Sequence, residues 1–193
     1  KQEEEQRRRE DEQRNWSAEG LAMFGEILRA EKGNLEELSY NIISNLVKYV
    51  KANQGGFYLL DDSDKGDKFF QLTACYAYER RKYADKRIGW GEGLVGACAL
   101  EKQTTLLNKI PDSYLTITSG LGSSNPKNLI LVPLKLNDEI HGVIEIASFN
   151  KFEDFEVEFV EKVAESIAST ISSVKINIRT AKLKIADGVV FEG

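Results

Sequence analysis

The sequence predicts an α+β domain, a central antiparallel sheet with helices on one side and a long helix at each end of the chain. Three observations predict it. The most strand-like runs, residues 129–137 and 139–149, are separated only by the turn residues Asn137-Asp138, which makes them an antiparallel hairpin. Amphipathic helices precede and follow the strands instead of alternating with them, unlike a parallel βαβ sheet. The chain's 193 residues, 41% hydrophobic and 30% charged, suffice for one globular core with extensions.

Residues 1–15, KQEEEQRRREDEQRN, carry no apolar side chain and cannot join a core. They still suit a helix, because Glu3–Arg7, Glu4–Arg8, Glu5–Arg9 and Glu10–Arg14 are i,i+4 pairs, each worth about 0.2–0.5 kcal/mol. Two readings stand: a solvated tail, or the end of a helix descending from an upstream domain. Leu21, Phe24 and Leu28 recur at helical spacing until Gly33-Asn34 breaks the pattern. Leu35, Leu38, Ile42, Leu46 and Val50 mark a second amphipathic helix, ending at ANQGG. FYLLD (57–61) reads as a strand and DDSDKGD as a turn. FFQLTACYAY (69–78) reads as a strand with Phe70, Leu72, Ala74, Tyr76 and Tyr78 on one face. ERRKYADKR reads as a polar connection. TTLLN (104–108) is a short strand, and a long loop leads to the hairpin. Pro133 has no amide hydrogen, so its strand belongs at an edge or carries a bulge there.

A long helix is predicted from about Asp154 towards Lys184, with Glu153, Asp154 and Glu156 at its positive end. Val160, Ala164, Ile167, Ile171, Val174, Ile178, Ala181 and Ile185 step alternately by 4 and 3, a seam long enough for a coiled coil. Up to Ile171 the seam packs on the sheet. Beyond it, a partner helix is expected.

Composition narrows the function. The formal net charge of −5 argues against a nucleic-acid surface. No run of about 18 apolar residues spans a membrane, and no signal-peptide pattern is seen. The only Met is Met23, so the chain reads as a portion of a longer protein. Cys75 and Cys98 give neither a disulfide framework nor a metal signature, and buried, inert thiols are expected for both. His141, the single histidine, is expected to face solvent beside the hairpin turn rather than to ligate haem or metal. With one histidine no Ser-His-Asp set forms, and no acidic pair sits in a glycosidase frame. No catalytic residue, metal or cofactor is expected.

Gly91-Glu92-Gly93-Leu94-Val95-Gly96 is a literal G-x-G-x-x-G. A dinucleotide fingerprint needs a buried strand ending at the first glycine and a helix of about three turns after the last. The preceding YADKRI is too polar for such a strand, and the helix after Gly96 is barely two turns. The glycines instead suit a sharp turn and close backbone approach.

Gly91 to Leu100 resembles the turn-plus-helix that GAF domains, sensory relatives of the PAS fold, carry after their second strand. LEELSYNIISNLVKYVKANQGGFYLL resembles their opening helix and first strand. LILVPLKLNDEIHGVIEIASF resembles their closing hairpin, and FEDFEVEFVEKVAESIASTI their final helix. The resemblance covers residues 34–175. It divides the chain into a charged signalling helix or linker (1–33), a GAF domain (34–175), and a coiled-coil extension with tail (176–193). It is strongest to GAF modules of bacterial multidomain signalling proteins, such as sensor histidine kinases of two-component systems and chemoreceptor-like proteins.

The resemblance implies a non-catalytic sensory or regulatory module. Its expected partners are a second copy through the terminal helices, a small-molecule ligand and a downstream output domain, with no nucleic acid and no direct membrane insertion. It implies a cytoplasmic setting, which includes the cytoplasmic part of a membrane-anchored receptor. The ligand pocket is expected between the sheet and a covering segment, residues 89–98 with 110–125. Tyr76, Trp90, Leu94, Val95, Ile117, Thr118, Ser119, Leu121, Leu131 and Glu145 are the expected binding residues. Two alternatives stay open: a ligand-free dimerisation connector, and an enzyme like the free methionine-R-sulfoxide reductases, which use three Cys where this chain has two. Asn150-Lys151-Phe152 matches the start of a cyclic-nucleotide GAF motif, but Glu156 and Val157 depart from its acidic end. A helix-entry turn with an acidic cap is the expectation there.

Overall fold

The computed structural model describes residues 1–111, 114 and 125–188. The chain opens with α1 (Gln2–Arg29) and α2 (Leu35–Tyr49). Strands β1 (Gln54–Asp61), β2 (Phe69–Ala77), β3 (Arg80–Lys82) and β4 (Arg87–Gly89) follow, then α3 (Gly93–Glu101) and β5 (Thr105–Leu107). β6 (Asn128–Leu136), β7 (Glu139–Ser148) and α4 (Asp154–Ala186) close the described fold. Every strand pair is antiparallel, in the order β3-β2-β1-β7-β6-β5, with β4 pairing β2 beside β3.

The sheet has two differently covered faces. α1, α2 and α4 pack on one, and short α3 on the other. On the helix face, Asn34 caps α2 by accepting from the Glu37 amide at 3.2 Å. The apolar stripe of α2, Leu38, Ile42, Ile43, Leu46 and Val47, is then buried against β1 and β2. Each such side chain contributes about 1.5–3 kcal/mol. α4 adds Phe159, Val163, Ile167 and Ile171, all 0% exposed.

α1 is a single helix of 28 residues, solvated at its start and docked from Trp16 on. Glu5–Arg9 forms as expected at 3.1 Å, but Arg8 turns to Glu12 and Arg14 to Asp11. Docking is aromatic: Trp16 stacks on Tyr49 at 4.8 Å and meets Phe159 at 4.7 Å. The Tyr49 hydroxyl donates to the Trp16 carbonyl. Gly20 lies under this joint, where a Cβ would fall 2.4 Å from Tyr49 Cε1.

Four expectations need correction. First, β2 does not keep one face. Phe57 pairs with Ala74 but Tyr58 with Leu72, so Thr73 bulges and its hydroxyl donates to the Phe57 carbonyl at 3.1 Å. The bulge switches the phase of side-chain alternation. Phe70, Leu72 and Cys75 face α3, whereas Ala74 and Tyr76 face the long helices. Second, the connection after β2 contains β3 and β4. These are polar edge strands: Arg81 of β3 leans on the Tyr40 ring at 4.2 Å and pairs with Glu37 at 2.9 Å. Third, His141 is half-buried rather than solvent-facing. Leu134 pairs with Gly142 and Lys135 with Ile140, so His141 is the bulged residue, and its Nε2 is buried without a partner. Fourth, the seam of α4 serves the domain further than expected, since Val174 is only 5% exposed.

Pro133 lies beyond the end of β5, which pairs only with Leu129, Ile130 and Leu131, so β6 is an edge strand at that point. Asn137 and Asp138 both take positive φ, 49° and 67°, giving the tight turn that matches strand twist. The turn before α4 is a capping box: the Glu153 side chain accepts from the Glu156 amide, and Glu156 accepts from the Glu153 amide at 2.9 Å. Phe152 is buried beneath it.

Candidate functional site

The face of the sheet turned away from the long helices holds a small polar cavity. Its floor is Gly56 of β1, where side-chain alternation puts Gln54, Gly56, Tyr58 and Leu60 on this face. Gly56 pairs with Glu145 of β7 on one side and with Cys75 of β2 on the other. Tyr58, Leu72, Ala147, Lys86 and Tyr114 complete the lining. The cavity measures about 30 Å³, room for a single water. A Cβ on Gly56 would meet Leu72 Cδ1 at 3.2 Å and Tyr58 Cε2 at 3.3 Å, so the missing side chain is what opens the space.

The electrostatics follow from burial. Desolvation pushes the Glu145 carboxyl above the usual carboxylate range, opposed by a hydrogen bond from Tyr114 and by the charge of Lys86. The Tyr114 hydroxyl donates to Glu145 Oε2. Burial, and the carboxylate it faces, hold Tyr114 well above the ordinary phenol value, and Tyr58 likewise. Burial and Glu145 push the Cys75 thiol up to about 11, against the smaller pull of Lys86 and Lys82. Cys98 is pushed to about 11 by burial, and its thiol donates to the Gln103 carbonyl at 3.3 Å. Both cysteines are free and buried, as expected. Gln54 is 5% exposed, yet its Oε1 has no hydrogen-bond partner.

Of the expected binding residues, the structure brings Trp90, Leu94, Val95, Leu131 and Glu145 to this face. Only Glu145 lines the cavity. Val95 and Leu131 are fully buried packing, and Trp90 stacks on Phe70 at 5.8 Å with the Lys68 ammonium 4.4 Å from its ring centre. Tyr76 stands on the opposite face, packed on the α2 side with the Lys48 ammonium 5.3 Å from its ring centre; the Thr73 bulge put it there. Ile117, Thr118, Ser119 and Leu121 lie outside the described residues. Gln54, Gly56, Tyr58, Cys75 and Lys86 were not anticipated, and Tyr114 belongs to the expected covering segment 110–125 without having been among the expected binding residues. The signal was present in QGGFYLL, where a Gly pair in a strand marks space or close approach, but the pair reads equally as the end of a helix.

The glycine motif shapes the entry to α3, which packs on this face of the sheet without lining the cavity. Gly91 and Gly93 take φ of 77° and 58°, and a Cβ on Gly96 would lie 2.7 Å from the Gly91 backbone. The three glycines let α3 start directly above the turn, and they hold no phosphate cradle on a parallel strand. Across protein families, residues 33–172 match the GAF domain. This chain belongs to the GAF family. The GAF fold also accounts for the antiparallel sheet flanked by long helices.

The domain is similar to the GAF domain of a phosphoenolpyruvate-protein phosphotransferase from Coxiella burnetii, with a TM-score of 0.64, 17% identity, and coverage of 83% of this chain and 95% of that one. It is similar also to free methionine-R-sulfoxide reductase from Neisseria meningitidis, solved with its substrate, at a TM-score of 0.59, 18% identity, and coverage of 82% and 93%. These likenesses concern the fold. Among curated proteins it is 25% identical over 158 residues to a protein of Photorhabdus laumondii named dihydroorotase. The match takes in 79% of this chain but 42% of that protein, so the chain spans less than half the length of that relative. Among the described residues, no group of three or more His, Cys, Asp or Glu could hold a metal ion, and no helix is long and apolar enough to cross a membrane.

Proposed function

We propose that this GAF domain is a non-catalytic sensory or regulatory module of a signal-transduction protein. A small molecule binds in the cavity over Gly56, and the terminal helices, paired with those of a second copy, carry the change to an output domain. One observation carries the reading: the cavity and the helices share a single strand. Glu145 faces the cavity, while its neighbours Ile144 and Ile146 are buried on the helix face in one core with Phe159, Val163 and Ile167 of α4. A displacement of β7 at the cavity is therefore passed to α4 through the thickness of one strand. α4 in turn joins α1 through Trp16 and Phe159.

The partner surface is the far end of α4, where Ile176, Leu183 and Ile185 are 58%, 65% and 76% exposed. Ile185 continues the seam of Val174, Ile178 and Ala181, while Ile176 and Leu183 share another face; beyond Arg179, which still pairs with Asp62 at 2.9 Å, the seam suits a second copy of the same helix. The non-catalytic reading is supported by two thiols that burial holds protonated near neutral pH. The ligand-free connector is favoured by a different observation, the tightness of the cavity at about 30 Å³.

Native mass spectrometry of the protein as purified from cells separates these readings. A dimer with retained mass is the expected result. A dimer without added mass favours the connector, a monomer overturns the helix relay, and turnover of free methionine sulfoxide with a thiol reductant overturns the non-catalytic assignment.

A further inference from the structure

Resting on the small-molecule reading above, the geometry points to a compact ligand carrying a protonated nitrogen. It would sit between the Glu145 carboxylate and the Gln54 amide oxygen, in the place the Tyr114 hydroxyl now takes.

Two acceptor-bearing side chains, Gln54 and Glu145, line the space over Gly56. Gln54 lies two residues before Gly56 on β1, on the same face, and Glu145 is the cross-strand partner of Gly56. Gln54 and Glu145 are thus diagonal neighbours, at a Cα separation of about 7–8 Å. Nothing bulky stands between them, since Gly56 has no side chain and Ala147 is the residue opposite Gln54. Gln54 Oε1 is buried and unpartnered, an acceptor with its donor missing. The one side-chain hydrogen bond that the described residues give Glu145 comes from Tyr114.

The chemistry selects the ligand class. Burial makes the ionised form of Glu145 costly, and a cation placed against the carboxylate offsets that cost. A ligand ammonium supplies both the missing charge and several donors, so one group satisfies Glu145 and Gln54 together. An anion would meet two acceptors and repel Glu145. A neutral hydroxyl would meet one acceptor and leave the charge unbalanced. Among the other ionisable groups lining the cavity, Lys86 is the cation, and its charge acts on Glu145 without a hydrogen bond to it among the described residues. Tyr58 and Cys75 are held neutral by burial, and the Lys86 ammonium lies over the Tyr114 ring, 5.7 Å from its centre. Tyr114 occupies the carboxylate in the closed cavity, and the incoming nitrogen competes with it.

The test is an NMR titration of the full chain, labelled at Glu and Gln side chains, with propylammonium chloride and, separately, sodium propionate. Propylammonium is expected to give saturable shifts at the Glu145 carboxyl and the Gln54 amide, and to lower the pH midpoint of Glu145. Glu145→Gln keeps the shape and is expected to weaken binding tenfold or more. Tyr114→Phe removes the competitor and is expected to bind as tightly or more tightly. Saturable binding of propionate at these positions, silence of Glu145 towards propylammonium, or unchanged affinity in Glu145→Gln overturns the assignment. The sensory reading fails separately. Propylammonium binding that leaves hydrogen exchange of α4 and the oligomeric state untouched defeats the relay and leaves the ligand class standing. A retained natural ligand without a basic nitrogen does the reverse.

Discussion

Gly20→Ala tests whether α1 is held by close aromatic packing. The added Cβ would lie 2.4 Å from Tyr49 Cε1 and 2.6 Å from two ring carbons of Phe159. Carbon atoms in good contact sit about 3.5–4.0 Å apart, so one methyl overlaps two rings at once. Neither ring is free to yield. Tyr49 is tied to the Trp16 carbonyl by its hydroxyl and to the Trp16 ring by stacking. Phe159 is fully buried among Trp16, Phe24 and Tyr49. Overpacking of this kind costs about 1–3 kcal/mol. Against it stands the gain of about 0.8–1.0 kcal/mol when Ala replaces Gly inside a helix. With two rings overlapped at once the clash lies at the upper end of its range and outweighs the propensity gain by about 2 kcal/mol, a factor of roughly 30 in the docked population. The assay is hydrogen exchange resolved by segment. Amides of residues 16–29 are expected to lose protection by that factor, while α2 and β1 keep theirs. Equal or greater protection in α1 of the variant would refute the claim that Gly20 is required for close approach.

Three further outcomes follow from the structure. Ile178→Glu with Ile185→Glu is expected to weaken self-association tenfold or more in sedimentation while leaving the melting temperature close to wild type. Ile171→Glu, at a fully buried position, should instead unfold the domain. Because burial raises the folded-state value of Glu145 above the unfolded one, the folded chain binds the extra proton, and its stability falls as pH rises through that value. Glu145→Gln should match wild type below about pH 4 and exceed it at pH 8 in urea denaturation, since its side chain stays neutral. With both thiols pushed to about 11, iodoacetamide is expected to label Cys75 and Cys98 slowly in the native protein at neutral pH and quickly in urea; rapid native labelling of Cys75 would reopen thiol chemistry in the cavity.

Much of the candidate site was hidden for local reasons. Glu145 was legible because a charged residue interrupts an otherwise apolar strand, GVIEIAS. Gln54 and Gly56 were not, since a polar residue and two glycines after a helix describe a loop as well as a strand. Tyr76 was misplaced because period-2 counting assumes an unbroken ladder, and nothing in FFQLTACYAY announces that Thr73 steps out of it. His141 was misplaced because nearness to the Asn137-Asp138 turn suggested exposure, whereas it lies in β7 at a bulge that leaves it half-buried. The polar strands β3 and β4 carry no apolar alternation at all. They exist because the edge of β2 offers unpaired backbone groups and because Arg81 finds Tyr40 and Glu37 on α2.

Periodicity and turn chemistry belong to the chain itself, and they sufficed for the long helices, the main strands, the Asn137-Asp138 hairpin and the acidic entry to α4. Those features depend on residues within a few positions of one another. The cavity depends on contacts that no local window contains. Gly56, Glu145, Cys75 and Tyr114 meet only because β1 pairs with both β2 and β7, and because one bulged residue decides which face each side chain takes. Register is a property of strand pairing, and a shift of one residue exchanges the two faces of a sheet. Tertiary structure therefore decided which side chains meet over Gly56 and which support the helices behind them.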